Sequence, residues 1–479
     1  MMMRALWRDG AVYTAGALLS RGVALLLLPL LTRVLGPADY GALDLISAWG
    51  VLVALVVPLE IAQGLARLWN ESPAGEARRR LAGTAWTFVS TGYGLFALLG
   101  MAAAEPLARL LLGESGWAAA LRAGVCFVAA NGVFTLLQSQ FRWELRPIAY
   151  TMVSLLYALA TLALVALASL GLRAGLAGVL WAQCGAALLC SCVGYGLLHR
   201  GLRWGIARHE LAAMLRYSLP LVPAGVAVFV SLYINRLMLN ALAPLSDVGQ
   251  FGIASRLAGA VTLTLVGIQA ALTPLIYAHH RDPETPALLA RLLEGFSALA
   301  LLCCLTIGVF GSELIALVAT EEFLPAAPLL SWLAPAALIS QMYVFAPGIA
   351  IAKKTHWQLG VTLVAAAAGA LLNAVLIPLA GTAGAAWATL ASAAVFFGTW
   401  LAVSQRCYPL PLRAVALAGA GAVYVVLALA ASHMPAALHG AAAALVVKLV
   451  LLFVFAAALS VLGLLRPLAW RGVSGEQGS

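Results

Sequence analysis

Positively charged side chains inside long apolar segments are the residues of this sequence best suited to chemistry. Arg21 lies near the centre of an apolar segment, and Arg236 and Arg256 lie within two later segments. A charge at the centre of a bilayer costs at least about 2.5–3.5 kcal/mol, so such residues normally face a bundle interior or a wet cavity. Because the guanidinium group offers a planar fork of donors, these arginines favour the binding of phosphate or another anion.

Each of the three arginines has an alternative interpretation. Arg21 lies about ten residues, or roughly 15 Å of helix, from either end of its segment, so it either lines a cavity or forms an internal ion pair. Arg236 follows Asn235 near the end of its segment and could reach the membrane surface. Arg256 shares a helix face with a glycine stripe, which either lines a cavity or packs closely against a neighbouring helix. The stripe consists of Gly249, Gly252, Gly259 and Gly267.

Acidic residues inside apolar segments are fewer. Glu60 and Glu294 are the candidates for binding a coupling H⁺ or Na⁺, although Glu294 could instead pair with Arg291, three residues earlier. Lys448, in the last apolar segment, either faces the bundle or contacts lipid head groups. The charge inside the membrane is therefore mainly cationic, and a cavity of that sign selects anions.

Catalytic and metal-binding patterns are scarce. The seven histidines lie in loops or at the ends of apolar segments, and the run His279-His280-Arg281-Asp282 lies in a polar loop, where solvent contact is the simpler interpretation. No Gly-x-x-x-x-Gly-Lys-Ser/Thr nucleotide motif occurs. Segments between apolar stretches reach about 15 residues, too short for a catalytic domain. The sequence therefore predicts no enzyme activity, no catalytic residues, no metal site and no cofactor.

The elements that must position these residues are membrane-spanning helices. Of the 479 residues, 63% are hydrophobic and 10% are charged, with a mean hydropathy of +0.99, which leaves too little polar surface for a soluble protein. Most apolar runs reach the roughly 20 residues that cross a bilayer as a helix. We expect an all-α polytopic membrane protein with about 14 transmembrane helices. The expected helices are residues 11–33, 42–66, 81–104, 118–138, 148–170, 176–198, 214–241, 248–277, 291–318, 326–352, 357–379, 383–404, 411–431 and 440–465.

The distribution of basic residues predicts the orientation of these helices. With the N-terminus in the cytoplasm, 20 of the 28 Lys and Arg residues fall on the cytoplasmic side and four on the opposite side. Cytoplasmic loops carry an excess of Lys and Arg, so this bias fixes the orientation and places both termini in the cytoplasm. The first apolar segment contains Arg21 and has the length of a full span, so we expect it to remain rather than to be cleaved as a signal peptide. The net charge of +10 follows from this topology and predicts no nucleic-acid partner.

The two halves of the sequence resemble each other. Residues 175–182, Gly-Leu-Ala-Gly-Val-Leu-Trp-Ala, match residues 381–388, Gly-Thr-Ala-Gly-Ala-Ala-Trp-Ala, at a shift of 206. Matches at a shift of 208 include Asp39 with Asp247, Gly41 with Gly249, Glu105 with Glu313, and Arg146 with Lys354. Transporters are often built from such repeats. The duplication predicts an N-lobe at 1–198, a cytoplasmic linker at 199–213, a C-lobe at 214–405, two additional helices at 406–465 and a cytoplasmic tail at 466–479.

Three stretches resemble one known group of membrane proteins. Residues 29–41, from Pro29 to Gly41, are similar to a "pl-x-tr-x-lg-x-x-dyG" pattern, and residues 235–249 are similar to a stretch with Asp-Arg followed by "vG-x-Y". Residues 373–389 are similar to "N-x-x-LIP-x-x-G-x-x-GAA-x-AT" and carry the most specific likeness. Together they resemble the polysaccharide and oligosaccharide (O-antigen type) flippases of the multidrug/oligosaccharidyl-lipid/polysaccharide (MOP) exporter superfamily. Asn235 stands where that group commonly has Asp, which puts ion coupling at this site in doubt, and Phe251 stands near a usual Tyr.

The resemblance implies a MATE-like fold of two six-helix lobes with two added helices. It also implies that the chain flips undecaprenyl-diphosphate-linked oligosaccharide from the cytoplasmic to the periplasmic leaflet by alternating access. Arg21 and Arg256, with Arg236 and Asn235, would then contact the diphosphate and glycan. Partners would be the lipid-linked oligosaccharide, membrane lipids, an H⁺ or Na⁺ counter-ion and a polysaccharide polymerase or assembly machinery. Alternatives are a multidrug/organic cation antiporter of the same superfamily, a lipid II flippase, and, less favoured, an integral-membrane glycan polymerase or ligase.

Overall fold

A computed structural model describes residues 26–199, 203–432 and 442–465, together with residues 16, 22 and 23. These residues form helices and their connections, and no β-strand occurs among them. The chain divides into two compact units. The first unit comprises Met1–Gly252 with Val318–Glu322, and the second comprises Ile253–Leu317 with Phe323–Ser479.

The first unit begins, within the described residues, with a helical stretch over residues 26–34. Ten further helices belong wholly or partly to it. They are α1 (Pro37–Val56), α2 (Ile61–Glu71), α3 (Glu76–Ala102), α4 (Ala104–Leu112), α5 (Ala118–Trp143), α6 (Pro147–Ala166), α7 (Gly175–Leu198), α8 (Arg208–Ser218), α9 (Leu221–Leu242) and the first half of α10 (Leu245–Ala260).

Local sequence explains where several of these helices begin and end. Pro37 and Pro147 stand at the first position of α1 and α6, where the missing N–H of proline has no helical partner to lose. Gly113 ends α4 in a left-handed conformation, with a φ of 85°. The buried core of the unit packs aromatic and aliphatic side chains of α2, α3 and α5, including Trp86 and Phe141.

The second unit continues α10 and then adds eight helices. They are α11 (Leu263–His279), α12 (Thr285–Val309), α13 (Gly311–Val318), α14 (Ala327–Ile339), α15 (Gly348–Ile351), α16 (Thr355–Cys407), α17 (Ala414–Ser432) and α18 (Ala442–Val461). α16 is interrupted at Gly381, which has a φ of 55° and a ψ of −128°.

Eleven spans among the described residues are long and apolar enough to cross a membrane. The expected number was about 14, and the difference has three sources. The span His356–Cys407 contains two helices that meet at Gly381. α10 and α11 are each shorter than 18 residues because a turn separates them, and most of the expected first helix lies outside the described residues. The chain is a multi-pass membrane protein, and the all-α polytopic fold is confirmed.

Equivalent positions of the two halves share unusual backbone geometry. Leu145 and Lys353, which are 208 residues apart, are non-glycine residues with φ of 53° and 54°. Each precedes a basic residue, Arg146 or Lys354, that caps the N-terminus of a long helix, α6 or α16. Left-handed conformations are uncommon outside glycine, so their recurrence at the same shift supports the duplication.

The compact units do not have the same extent as the predicted lobes. The first unit includes α8 and α9, which the duplication assigns to the linker and the C-lobe. The backbone around Arg203 explains part of this, since Arg203 N donates to Arg79 O and Gly205 N donates to Thr87 Oγ1 on α3. The lobe boundaries stay a prediction from the duplication.

Candidate functional site

Arg236 and Asp44 form a buried ion pair in the first unit. Arg236 Nε donates to Asp44 Oδ2 at 2.7 Å, with α9 supplying the arginine and α1 the carboxylate. The two side chains are 15% and 6% exposed. Asp44 therefore neutralises a cation that sequence analysis assigned to a substrate cavity.

The surroundings of this ion pair hold the guanidinium in place. Its carbon lies 5.5 Å from the Tyr233 ring centroid and 5.6 Å from the Phe251 ring centroid, within cation–π range. Phe251 stands near the position where the resembling flippases usually have Tyr, and its ring contacts the guanidinium here. Asn235 is 9% exposed and its Oδ1 accepts a hydrogen bond from Arg236 N at 2.9 Å. This hydrogen bond links the Asn235 side chain to the backbone N–H of Arg236.

The duplicated glycines Gly41 and Gly249 pack against each other. A Cβ added to Gly249 would overlap Pro37 O, and one added to Gly41 would overlap Leu245 O. A Cβ on Gly252 would lie 3.0 Å from Asp44 Cγ, which ties the helix crossing to the ion pair. The front part of the glycine stripe is therefore a packing face.

Glu60 lies at a break between α1 and α2 rather than inside a continuous helix. Leu59 and Glu60 are consecutive non-glycine residues with φ of 50° and 54°. Pro58 precedes them, and its carbonyl accepts a hydrogen bond from Ile61 N at 3.0 Å. Glu60 Oε1 lies 3.6 Å from the position of a Cβ on Gly225 in α9. The break therefore turns this carboxylate towards α9.

A pocket of about 320 Å³ opens beside Glu60 in the first unit. α1, α3 and α5 form its walls, and we call it the α1/α3/α5 pocket. Its polar lining residues are Ser47, Glu60, Asn131, Thr135 and Ser139. Tyr93 and Phe127 supply aromatic rings, and the other described lining residues are aliphatic or small. Such a mainly apolar wall with a few placed polar groups is typical of a small-molecule site.

Glu294 and Lys448, two predicted charged candidates in the second unit, each form an ion pair. Glu294, 5% exposed, accepts from Arg413 Nη2 at 2.6 Å and Nε at 2.9 Å, and from Arg413 N at 2.8 Å. Arg291, the cation nearest in sequence, instead donates to Ala287 O. Lys448 is 3% exposed, pairs with Glu313 and lies 5.1 Å from the Phe310 ring centroid. The Arg413–Glu294 pair joins the residue before α17 to α12, and the Lys448–Glu313 pair joins α18 to α13.

The remaining predicted site residues are placed only in part. Arg21 lies outside the described residues. Arg256 is half-buried on α10 of the second unit, where a Cβ on Gly259 would meet nothing within 4 Å. In the part of the chain that the structure describes, no three His, Cys, Asp or Glu residues are grouped as a metal would require.

Sequence analysis missed the polar residues of the α1/α3/α5 pocket. Asn131, Thr135 and Ser139 follow one another at intervals of four, so they share one face of α5. That stripe is readable in the sequence, because polar residues repeat at helical spacing within an apolar span. The ion-pair partner Asp44 had no comparable signal, since it is 192 residues from Arg236.

Comparisons with known proteins define the class to which this fold belongs. A structure described as "Lipid II flippase MurJ, inward closed conformation" matches with a TM-score of 0.66 at 11% identity, covering 94% of this chain and 98% of that chain. An inward-facing multidrug resistance MATE family transporter of the MOP superfamily matches with a TM-score of 0.62 at 14% identity, covering 80% and 95%. A MOP superfamily transporter from Pyrococcus furiosus matches with a TM-score of 0.53 at 15% identity, covering 84% of this chain and 96% of that chain. The chain has the fold of MOP superfamily transporters and flippases.

The sequence itself identifies the family. The family described as "Polysaccharide biosynthesis protein" matches residues 6–279, more than half of the chain. The chain belongs to this polysaccharide biosynthesis protein family, as the three sequence stretches predicted. No curated protein matches the sequence.

Proposed function

We propose that the chain flips undecaprenyl-diphosphate-linked oligosaccharide, such as an O-antigen or other polysaccharide repeat unit, across the bacterial inner membrane. Movement runs from the cytoplasmic to the periplasmic leaflet by alternating access, with both termini in the cytoplasm. Membership of the polysaccharide biosynthesis family is the observation that carries the proposal. The arginines within its predicted spans add the charge that a diphosphate requires.

Arg21 and Arg256 are the proposed first contacts for the diphosphate. Arg236 and Asn235 complete the proposed set, with one restriction that follows from the structure. Arg236 is bound to Asp44 here, so a phosphate would reach it only by displacing a carboxylate at 2.7 Å. We therefore assign Arg236 and Asn235 a later role, after the ion pair opens.

Glu60 is the stronger of the two candidates for coupling to H⁺ or Na⁺. Its carboxylate lines the α1/α3/α5 pocket, whereas the Glu294 carboxylate accepts three hydrogen bonds from Arg413. A carboxylate that exchanges an ion during transport must be reachable. A polymerase or assembly machinery would receive the flipped product.

Lipid II flipping is the second candidate function, because the likeness to the lipid II flippase covers nearly the whole of both chains. That likeness concerns the fold alone, so the family match favours the oligosaccharide. Both substrates are diphosphate lipids and would use the same arginines. An organic cation antiporter would instead need acidic cavity residues to attract its substrate, and Glu60 is the one acidic residue among the described lining of the α1/α3/α5 pocket.

Translocation in proteoliposomes tests the proposal. Labelled undecaprenyl-diphosphate oligosaccharide, labelled lipid II and an organic cation are compared in the wild-type chain and in Arg21→Ala and Arg256→Ala. Arg67→Ala is the matched control, because Arg67 is an exposed residue whose partner is Glu71 one turn away. We expect the oligosaccharide to move, the two variants to lose at least about tenfold in rate, and the control to be unchanged. Movement of the organic cation alone would overturn the proposal, and movement of lipid II alone would favour the second candidate.

A further inference from the structure

The α1/α3/α5 pocket carries an inference about the substrate. We propose that it is a subsite for one neutral sugar ring of the lipid-linked glycan, a hexose or an N-acetylhexosamine. The inference rests on the proposed function and adds a specificity for sugar charge. Its volume of about 320 Å³ lies at the low end of small-molecule sites, far larger than a single ion needs.

The polar residues of the pocket offer both donors and acceptors. Asn131 Oδ1 accepts from Tyr157 Oη at 3.1 Å, which orients the amide and leaves its two N–H donors to other partners. Ser139 Oγ accepts from Arg142 Nη2 at 2.8 Å and keeps its own O–H as a donor. Thr135 Oγ1 donates to Asn131 O at 2.8 Å, which leaves its lone pairs as acceptors. Sugar hydroxyls donate and accept at once, so this mixed set matches them.

Two aromatic residues, Tyr93 and Phe127, contribute to the lining of the pocket. The Tyr93 ring lies so close to Gly132 that a Cβ there would overlap it. Phe127 adds a second ring to the lining. The C–H face of a sugar packs well on such rings, while its hydroxyl edge reaches the polar residues.

The charge of the pocket decides which sugars fit. Glu60 is the charged residue among its described lining residues, and none of these is Lys or Arg. A uronic acid would place its carboxylate near Glu60, and we expect this repulsion to reject it. The neighbouring cation Arg142 is not a lining residue, and it is held by Ser139 Oγ and by the Tyr150 ring, 5.8 Å from its guanidinium carbon. Neutral sugars can instead donate hydroxyl hydrogens to Glu60.

Backbone strain at Glu60 points to a ligand independently of the pocket. Leu59 and Glu60 both adopt left-handed conformations that cost free energy in residues with a Cβ. Observed strain of this kind clusters at ligand-binding sites, where it aims a side chain. Here it coincides with the single carboxylate of the pocket.

Binding to the full-length chain in lipid nanodiscs tests the inference. The probes are undecaprenyl diphosphate alone and the same carrier linked to glucose, to N-acetylglucosamine or to glucuronic acid. We expect wild type to bind at least one of the two neutral conjugates about tenfold more tightly than the bare carrier, and the glucuronic acid conjugate no more tightly than it. Asn131→Ala and Ser139→Ala should each reduce the neutral preference to about threefold or less, since each removes one bond to the sugar.

Two controls separate sugar contact from structural damage. Tyr157→Phe removes the same hydrogen bond that Asn131→Ala removes but keeps the amide, and should retain most of the neutral preference. Thr362→Val removes a threonine hydroxyl outside the pocket. This hydroxyl donates to the carbonyl four residues earlier, as the Thr135 hydroxyl does in the pocket, so its loss should not change the neutral preference.

The outcomes distinguish this inference from the proposed function. If wild type binds no undecaprenyl diphosphate probe, the proposed function fails together with the subsite. If wild type prefers neutral conjugates but the pocket variants keep the full preference, the function stands and the subsite is wrong. Tight binding of the glucuronic acid conjugate would also overturn the inference. Glu60→Gln should raise the affinity for that conjugate, and equal affinities before and after this substitution would contradict the charge argument.

Discussion

A single residue, Asp44, decides the electrostatic state of Arg236. Both side chains are mostly buried, so removing either one takes a charged partner from the other inside the protein. Removing one partner of a buried pair usually costs more than replacing both, because the remaining charge keeps its desolvation penalty. In this conformation the ion pair therefore stabilises both buried charges.

This predicts that Asp44→Asn is destabilising by about 3 kcal/mol and that Asp44→Asn with Arg236→Gln recovers much of the loss. Thermal unfolding of the purified chain in detergent measures the effect as a drop in Tm. Glu105→Gln is the control, because Glu105 and Arg122 form an exposed pair, with side chains 62% and 45% exposed, worth about 0–1 kcal/mol. A double variant as unstable as Asp44→Asn would show that the pair does not act as a unit.

Residue-scale prediction from the sequence found charges but not their partners. Arg236 and Glu294 stood out because a charge within an apolar span needs an explanation. Their partners Asp44 and Arg413 are 192 and 119 residues away, and no periodicity links such positions. Glu294 was therefore considered with Arg291, its neighbour on the same helix. Spacing reports only contacts within one helix.

At the scale of elements, three glycines behave differently along one helix. Gly249 and Gly252 on α10 meet backbone or Asp44 atoms where a Cβ would stand, whereas Gly259 meets nothing within 4 Å. The sequence showed one stripe with two interpretations, and the structure divides it between close packing at the start of α10 and open space further along. Only the three-dimensional neighbours of each glycine could separate them.

We predict that Gly249→Ala is destabilising by about 1–3 kcal/mol, because its Cβ would overlap Pro37 O, a backbone atom that cannot rotate away. Gly259→Ala, on the same helix, is the matched control and should be neutral or stabilising by up to about 1 kcal/mol. The difference in Tm between the two variants measures the closeness of the crossing. Equal Tm values would show that the helices adjust without cost.

The attachment of the additional helices gives a second prediction about elements. Arg413 directly precedes α17 and donates to Glu294 on α12, so Arg413→Ala leaves a buried carboxylate without its charged donor. We expect a loss of about 1.5–3 kcal/mol, seen as a lower Tm. The exposed Arg406, in the last turn of α16, provides the control variant Arg406→Ala. A lower Tm in the control than in Arg413→Ala would contradict the role of this ion pair.

Helix prediction from hydropathy located the apolar runs but missed a break inside one of them. The expected helix at 248–277 is two helices, α10 and α11, joined by a turn in which Thr262 N bonds to Gly259 O. The expected helices at 357–379 and 383–404 are the two parts of α16, and the kink at Gly381 lies in the predicted gap between them. An apolar run satisfies hydropathy whether its backbone is straight or broken. Breaks depend on local hydrogen bonds that composition does not report.

At the scale of the whole molecule, the duplication seen in the sequence agrees with the backbone geometry of the structure. It rested on matches such as Arg146 with Lys354, and the structure adds matching left-handed residues at Leu145 and Lys353. The fold followed from it, because repeated helix sets of this length are typical of transporters. The glycan, in contrast, has no signature in repeat length or hydropathy. It has to be found in the chemistry of a pocket.

The proposed function predicts that membrane potential accelerates outward flipping. A diphosphate diester carries about two negative charges, and each charge moved out of a negative interior gains about 2.3 kcal/mol per 100 mV. A potassium gradient with valinomycin, imposed on proteoliposomes containing the chain, should therefore raise the initial rate for the undecaprenyl-diphosphate oligosaccharide. Collapse of the gradient is the control and should return the rate to its starting value. The rate could instead follow a pH gradient in wild type and lose that dependence in Glu60→Gln. That result would contradict the prediction, because a proton bound at Glu60, and not the charge of the substrate, would then supply the free energy for outward movement.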